Sequence, residues 1–170
     1  MDATKRVLVV YYSLSGNTAR VARDLATRLG ADIESIRDLS HGAGGLSKVS
    51  AAFDAWRKAP AKIGTPQLDP ARYPLMIVGT PVWMWRMTPA IRGYLNRMSD
   101  RIHSVAFFVT SGDTDVGKLQ PALEVAAGHR AVAAAGFNAK ELADAVAYET
   151  KLATFVDEIT HSSGSPRRAA

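Results

Sequence analysis

A chain of 170 residues with no cysteine has room for one domain that needs no disulfide, and the missing thiols exclude cysteine redox chemistry and thiolate-bound metals. The apolar fraction of 47% and charged fraction of 22% belong to an ordinary soluble globule, and no apolar run approaches the length of a membrane span. The net charge of +5 includes Arg167 and Arg168 in a polar C-terminal stretch, and no basic stripe with interleaved aromatics argues for nucleic acid.

Strand and helix patterns alternate along the chain. Arg6–Tyr12 reads as a buried strand, and the helix that follows starts near Thr18, carries Val21, Ala22, Leu25 and Leu29 on one face, and stops at Gly30. Asp32–Arg37 alternates as a half-buried edge strand. A glycine-rich connection, His41–Gly45, leads to a second helix with Leu46, Val49, Phe53 and Trp56 on its core face. Leu75–Gly79 is a third strand, and Thr80–Met87 a loop dense in aromatics. Thr88 then caps a helix with Pro89 at its first position.

Val105–Thr110 is the fourth strand, followed by the polar loop Ser111–Gly117. The next helix is expected from about Leu119, with Pro121 in its first turn. Ala131–Gly136 is a fifth strand. Asn138 and Glu141 are spaced as a capping box for a last helix, whose face is Leu142, Val146, Leu152, Val156 and Ile159. Strands that each lead into a helix imply an α/β, doubly wound, five-stranded parallel sheet with helices on both faces. One domain over residues 1–160 is expected, with a disordered tail over 161–170, in the reducing cytoplasm that a cysteine-free chain suits.

In such a sheet a ligand lies beyond the carboxyl ends of the strands, where strand order reverses. Three loops end there, and their chemistries complement one another. Ser13, Ser15, Gly16, Asn17 and Thr18 bring hydroxyls and a close-approach glycine to a helix start, which suits a phosphate. With no lysine in that loop, the phosphate would be held rather than transferred. Thr80, Pro81, Val82, Trp83 and Met84 offer flat and flexible apolar groups, and Ser111 and Gly112 offer backbone and hydroxyl donors opposite them. A ligand with a phosphate at one end and a broad heteroaromatic ring at the other would satisfy all three. The four histidines have no partners at metal or triad spacing, so no metal site is expected.

Ser13-x-Ser15-Gly16-Asn17-Thr18, Gly79-Thr-Pro-Val-Trp83 and Thr110-Ser-Gly112, each after a strand, together resemble the flavodoxin-like FMN-binding proteins from Arg6 to about Thr160. The resemblance implies the flavodoxin strand order, 2-1-3-4-5, with FMN where that order reverses, in the short form without an insertion in strand five. It implies FMN as cofactor, with the phosphate on Ser13–Thr18 and the ring on the other two loops.

Within that resemblance the chain is closest in character to the small NAD(P)H:quinone reductases. Its basic charge does not suit the docking of an acidic electron carrier. Aromatics occur in only one ring loop, leaving a face open to a flat partner, and no glycine in Thr80–Met87 eases the peptide rotation that favours a one-electron reduced flavin. The expected function is two-electron, NAD(P)H-dependent reduction of a quinone-like or other small acceptor by an enzyme that is a possible homodimer. The alternatives are a one-electron carrier between protein partners, and an oxidase or reductase of a larger acceptor such as a porphyrin precursor.

Overall fold

The computed structural model describes residues 7–39, 61–112 and 115–163. Five parallel strands form the sheet: β1 (Val7–Tyr11), β2 (Asp32–Ser35), β3 (Leu75–Trp83), β5 (Val105–Ser111) and β6 (Ala131–Asn138), in the order β2-β1-β3-β5-β6. A short β4 (Arg86–Met87) folds back antiparallel on the end of β3. Counting the parallel strands alone, this is the 2-1-3-4-5 order that the resemblance implies. Order reverses between β1 and β3, so a crevice opens beyond their carboxyl ends.

The central strands are apolar on both sides because each is covered on both sides. Alternation sends Leu8, Val10, Met76, Val78, Phe107 and Val109 to one face, under α2 (Pro89–Met98) and α3 (Val116–Ala127). Val9, Ile77, Ala106, Phe108 and Phe137 go to the other, under α1 (Asn17–Leu29) and α5 (Ala145–Ser163). The α1 stripe Val21, Ala22 and Leu25 is fully buried, and Gly30 ends the helix at φ 58°, its N–H donating to the Ala26 carbonyl. No helix among the described residues is long and apolar enough to cross a membrane.

Several boundaries differ from expectation, each for a physical reason. β3 does not stop at Gly79 but runs to Trp83, so most of the expected aromatic loop is a hairpin. β1 pairs with β3 only as far as Gly79, so Pro81 lies where that side of β3 has become an edge and a missing N–H is tolerated. α3 begins at Val116, with Asp115 accepting from the Gly117 N–H at 2.9 Å, so Pro121 sits in the second turn on the exposed side, not in the first. The capping box of Asn138 and Glu141 is formed, yet it opens a five-residue helix, α4 (Ala139–Ala143).

Asp144 then starts α5 afresh, its carboxylate accepting from the amides of Val146 and Ala147. That restart turns Val146 to solvent, 76% exposed, and makes Tyr148, Leu152, Phe155 and Ile159 the buried face. α5 continues to Ser163, past the expected domain end at 160. The second predicted helix, with Trp56, lies outside the described residues, as do the His41–Gly45 connection and most of the tail.

Candidate functional site

The carboxyl ends of β1, β3 and β5 are neighbours, and two hydrogen bonds tie the loops beyond them together. The Tyr12 amide donates to the Gly79 carbonyl at 3.1 Å, joining the first loop to the second. The Thr18 and Thr110 hydroxyls meet at 2.7 Å in a buried pair, joining the first to the third across 92 residues of sequence. A close packing contact sets the level of the rim. A Cβ on Gly79 would stand 2.1 Å from the Phe108 ring, which lies fully buried against β3 and nearly perpendicular to the Phe137 ring, their centres 6.5 Å apart. Only glycine fits under that ring.

In the first loop the Gly16 amide donates to Ser13 Oγ at 3.2 Å, and Gly16 itself takes φ 93°, a conformation that favours glycine. α1 starts immediately afterwards. Its first internal bond runs from Arg20 to the Gly16 carbonyl at 2.9 Å, so the amides of Asn17, Thr18 and Ala19 precede the ladder. No side chain caps this end, and no acidic residue occupies the first turn. Ser15 and Asn17 are exposed, with no protein partner for their side chains among the described residues. The helix end is open to an anion, with its dipole and amides aimed the right way.

Arg20, the nearest cation on α1, is turned away from this loop. Its guanidinium donates to the Leu142 carbonyl at 2.9 Å and lies 4.2 Å from the centre of the Tyr148 ring. The Tyr148 hydroxyl in turn donates to Asp24 at 2.6 Å, and burial first, then Asp24, raises its pKa above the ordinary tyrosine value. Nearer the loop, burial and the charge of Asp38 raise the pKa of Tyr12, keeping that phenol protonated.

The second loop is the β3–β4 hairpin. Val82 pairs with Met87 and both pack on the core, while Trp83 pairs with Arg86. The two turn residues, Met84 and Trp85, take φ 45° and 64°, and stand 67% and 61% exposed. Thr80 is fully buried, its hydroxyl donating to the Pro81 carbonyl at 2.9 Å and accepting from the Thr88 amide at 3.3 Å. Its side chain therefore braces the hairpin against α2 instead of facing the crevice.

In the third loop Ser111 is half-buried and Gly112 exposed, with open space where a Cβ would stand. Asp115 serves as the cap of α3, and Asp113 lies outside the described residues.

All the sequence-predicted loop residues thus gather at one rim, although Thr18, Thr80 and Val82 turn their side chains inward. The structure adds Tyr12, to which the sequence assigns no role at the site, and gives Thr110, which the sequence places only in the third loop motif, a buried partner in Thr18. A hydroxyl pair between residues 92 apart leaves no local signal, and Tyr12 reads as one more apolar residue of the strand.

Residues 6–159 match the family model described as Flavodoxin. Among solved structures, a flavoprotein from Lactobacillus acidophilus NCFM in complex with FMN is 23% identical, with a TM-score of 0.66 over 82% of this chain and 97% of that one. The apo-form of the flavoprotein from the same organism is 22% identical, with a TM-score of 0.59 over 82% and 96%. A flavodoxin, WrbA-like protein from Agrobacterium tumefaciens is 18% identical, with a TM-score of 0.53 over 92% and 96%. At these identities the structural likeness shows a shared fold, and no curated protein matches. The family match spans nearly the whole sequence, and the chain belongs to the flavodoxin family.

Proposed function

We propose that the rim binds FMN and that the protein is an FMN-dependent oxidoreductase, passing two electrons from NAD(P)H to a quinone-like or other small acceptor. The observation that carries this reading is the uncapped start of α1 behind Gly16, beside an aromatic hairpin on one flank and an open glycine loop on the other. The residues present fit the group. Ser13, Ser15, Gly16 and Asn17 would hold the phosphate with neutral donors, and Thr18 would add its amide while its hydroxyl holds Thr110. Pro81, Trp83 and Met84 would face the ring from one side, and Ser111 and Gly112 from the other. Thr80 and Val82 would position the hairpin. When bound, FMN supplies the redox chemistry itself; the protein orients it and limits access to it.

Two observations favour a reductase. The chain is basic, and of the two ring loops only the hairpin carries aromatic residues in its sequence, which suits a flat partner stacking from the other side. The lack of glycine in the hairpin counts for less than the sequence suggests, because Met84 and Trp85 adopt left-handed backbone without it. A one-electron carrier is the second reading, and the exposed Leu14, Met84 and Trp85 at the rim favour it as a protein-docking surface.

Anaerobic addition of NADH or NADPH to the FMN-loaded protein tests the choice. Bleaching of the flavin, with turnover on a quinone, is the expected result. A flavin untouched by either nucleotide, but giving a long-wavelength one-electron band on dithionite titration, would make the protein a carrier.

A further inference from the structure

The FMN reading leaves three exposed side chains at the mouth of the crevice without a task. Trp85 sits at the hairpin tip with 61% of its surface in water, although a side chain of that size is ordinarily covered. Lys118, in the first turn of α3, places its Nζ 4.9 Å from the centre of the indole. Arg86 is the next residue of the hairpin and is exposed. Neither cation has a carboxylate partner among the described residues, unlike Arg28, Arg101 and Lys151, which pair with Glu149, Asp69 and Glu141.

The backbone holds the indole there at a cost. A two-residue turn with both central residues at positive φ is ordinarily filled by Asn-Gly, and here Met84 and Trp85 fill it. Strain of this kind persists where the side chains so displayed are used.

We propose that Trp85, Arg86 and Lys118 form a binding platform for a flat redox ligand bearing an anionic group, which stacks on the indole with its charge between the guanidinium and the ammonium. The proposal rests on the flavin-reductase reading, which calls for such a ligand to come up to the ring. Two cations with no carboxylate partner among the described residues, beside an aromatic face, favour an anion over a neutral ring. The same chemistry is offered by an acidic quinone-type acceptor and by the nicotinamide dinucleotide.

Calorimetry on the FMN-loaded protein tests this with anthraquinone-2-sulfonate and its neutral 2-hydroxymethyl analogue. The sulfonate should bind about tenfold more tightly than the alcohol. Arg86→Gln with Lys118→Gln should erase that preference, while Trp85→Gly should weaken both ligands by about tenfold. FMN affinity, read separately by flavin fluorescence, should stay within about twofold in all variants because none of the three side chains is placed against FMN. Displacement of the sulfonate by NADPH assigns the platform to the dinucleotide, and simultaneous binding assigns it to the acceptor; both support it. Equal affinity for sulfonate and alcohol, or a preference that survives in the double glutamine variant, overturns it. If the wild-type protein fails to take up FMN the parent reading falls, and the same titrations on the FMN-free protein still decide the platform.

Discussion

A glycine and a pair of hydroxyls do much of the positioning at the rim. Gly79 gives the Phe108 ring its seat, and an added methyl would meet that ring at 2.1 Å. Gly79→Ala should therefore destabilise the fold by about 1–3 kcal/mol, read from the midpoint of urea unfolding. The Thr18–Thr110 pair makes a sharper prediction. Either Thr→Val alone strands the other hydroxyl in a buried site, at a cost of about 1–3 kcal/mol, whereas the double valine variant should cost less than the sum. Additive losses in that cycle would show that the hydroxyls do not depend on each other. The chemistry of these residues is visible in the sequence as hydroxyls and glycines after apolar runs. Their partners are not, because Thr18 reads equally well as a phosphate donor or as a cap until Thr110 is found beside it.

Among the strands and helices, the hairpin is where sequence and structure part most. Its tip carries none of the Asn, Asp or Gly signals that announce a two-residue turn, so Thr80–Met87 reads as a loop. The strands that flank it supply the turn by tertiary pairing instead. Replacing Met84→Asn and Trp85→Gly together should raise stability by about 1–2 kcal/mol, seen as a higher melting temperature, since both positive-φ residues would be relieved. An unchanged or lower melting temperature would mean that Met84 and Trp85 offset the strain by packing.

The split between α4 and α5 is hidden for a different reason. Leu142 and Val146 are four apart and mimic one continuous stripe, while the Asp144 cap that separates them is a weak signal inside an alanine-rich run. By contrast α1 is readable at both ends, because Gly16 and Gly30 each adopt the left-handed backbone that marks a boundary.

For the fold taken together, the two-sided core follows from strands that are apolar on both faces, and the strand order follows from the family resemblance. Response to acid is likewise shared across the fold. The Arg101 side chain, and then the Ala71 amide, hold the Asp69 carboxyl down at about 2. Hydrogen bonds from Gln120 and the Ala131 amide lower Glu124. Burial alone would raise Glu141, but the bonds from Lys151 and the Asn138 amide outweigh it and leave it lowered. Carboxyls that titrate lower when folded leave the unfolded chain holding more protons in the interval between the two values. Stability is then fully present above the ordinary carboxylate range and declines as pH falls toward about 2. Thermal unfolding followed from pH 7 downward should show that decline, and Glu141→Gln should flatten part of it.

The functional reading stands on the open start of α1 holding the phosphate of a flavin whose ring lies between the hairpin and the glycine loop. Fluorescence titration of the flavin-free protein with FMN, and with riboflavin in parallel, puts this to the proof. FMN should bind at least about a hundredfold more tightly than riboflavin, and Ser15→Asp with Asn17→Asp should remove most of that advantage by setting carboxylates against the phosphate. Equal affinity for the two flavins, no uptake of FMN, or an acidic double variant that binds FMN as the wild type does would refute it.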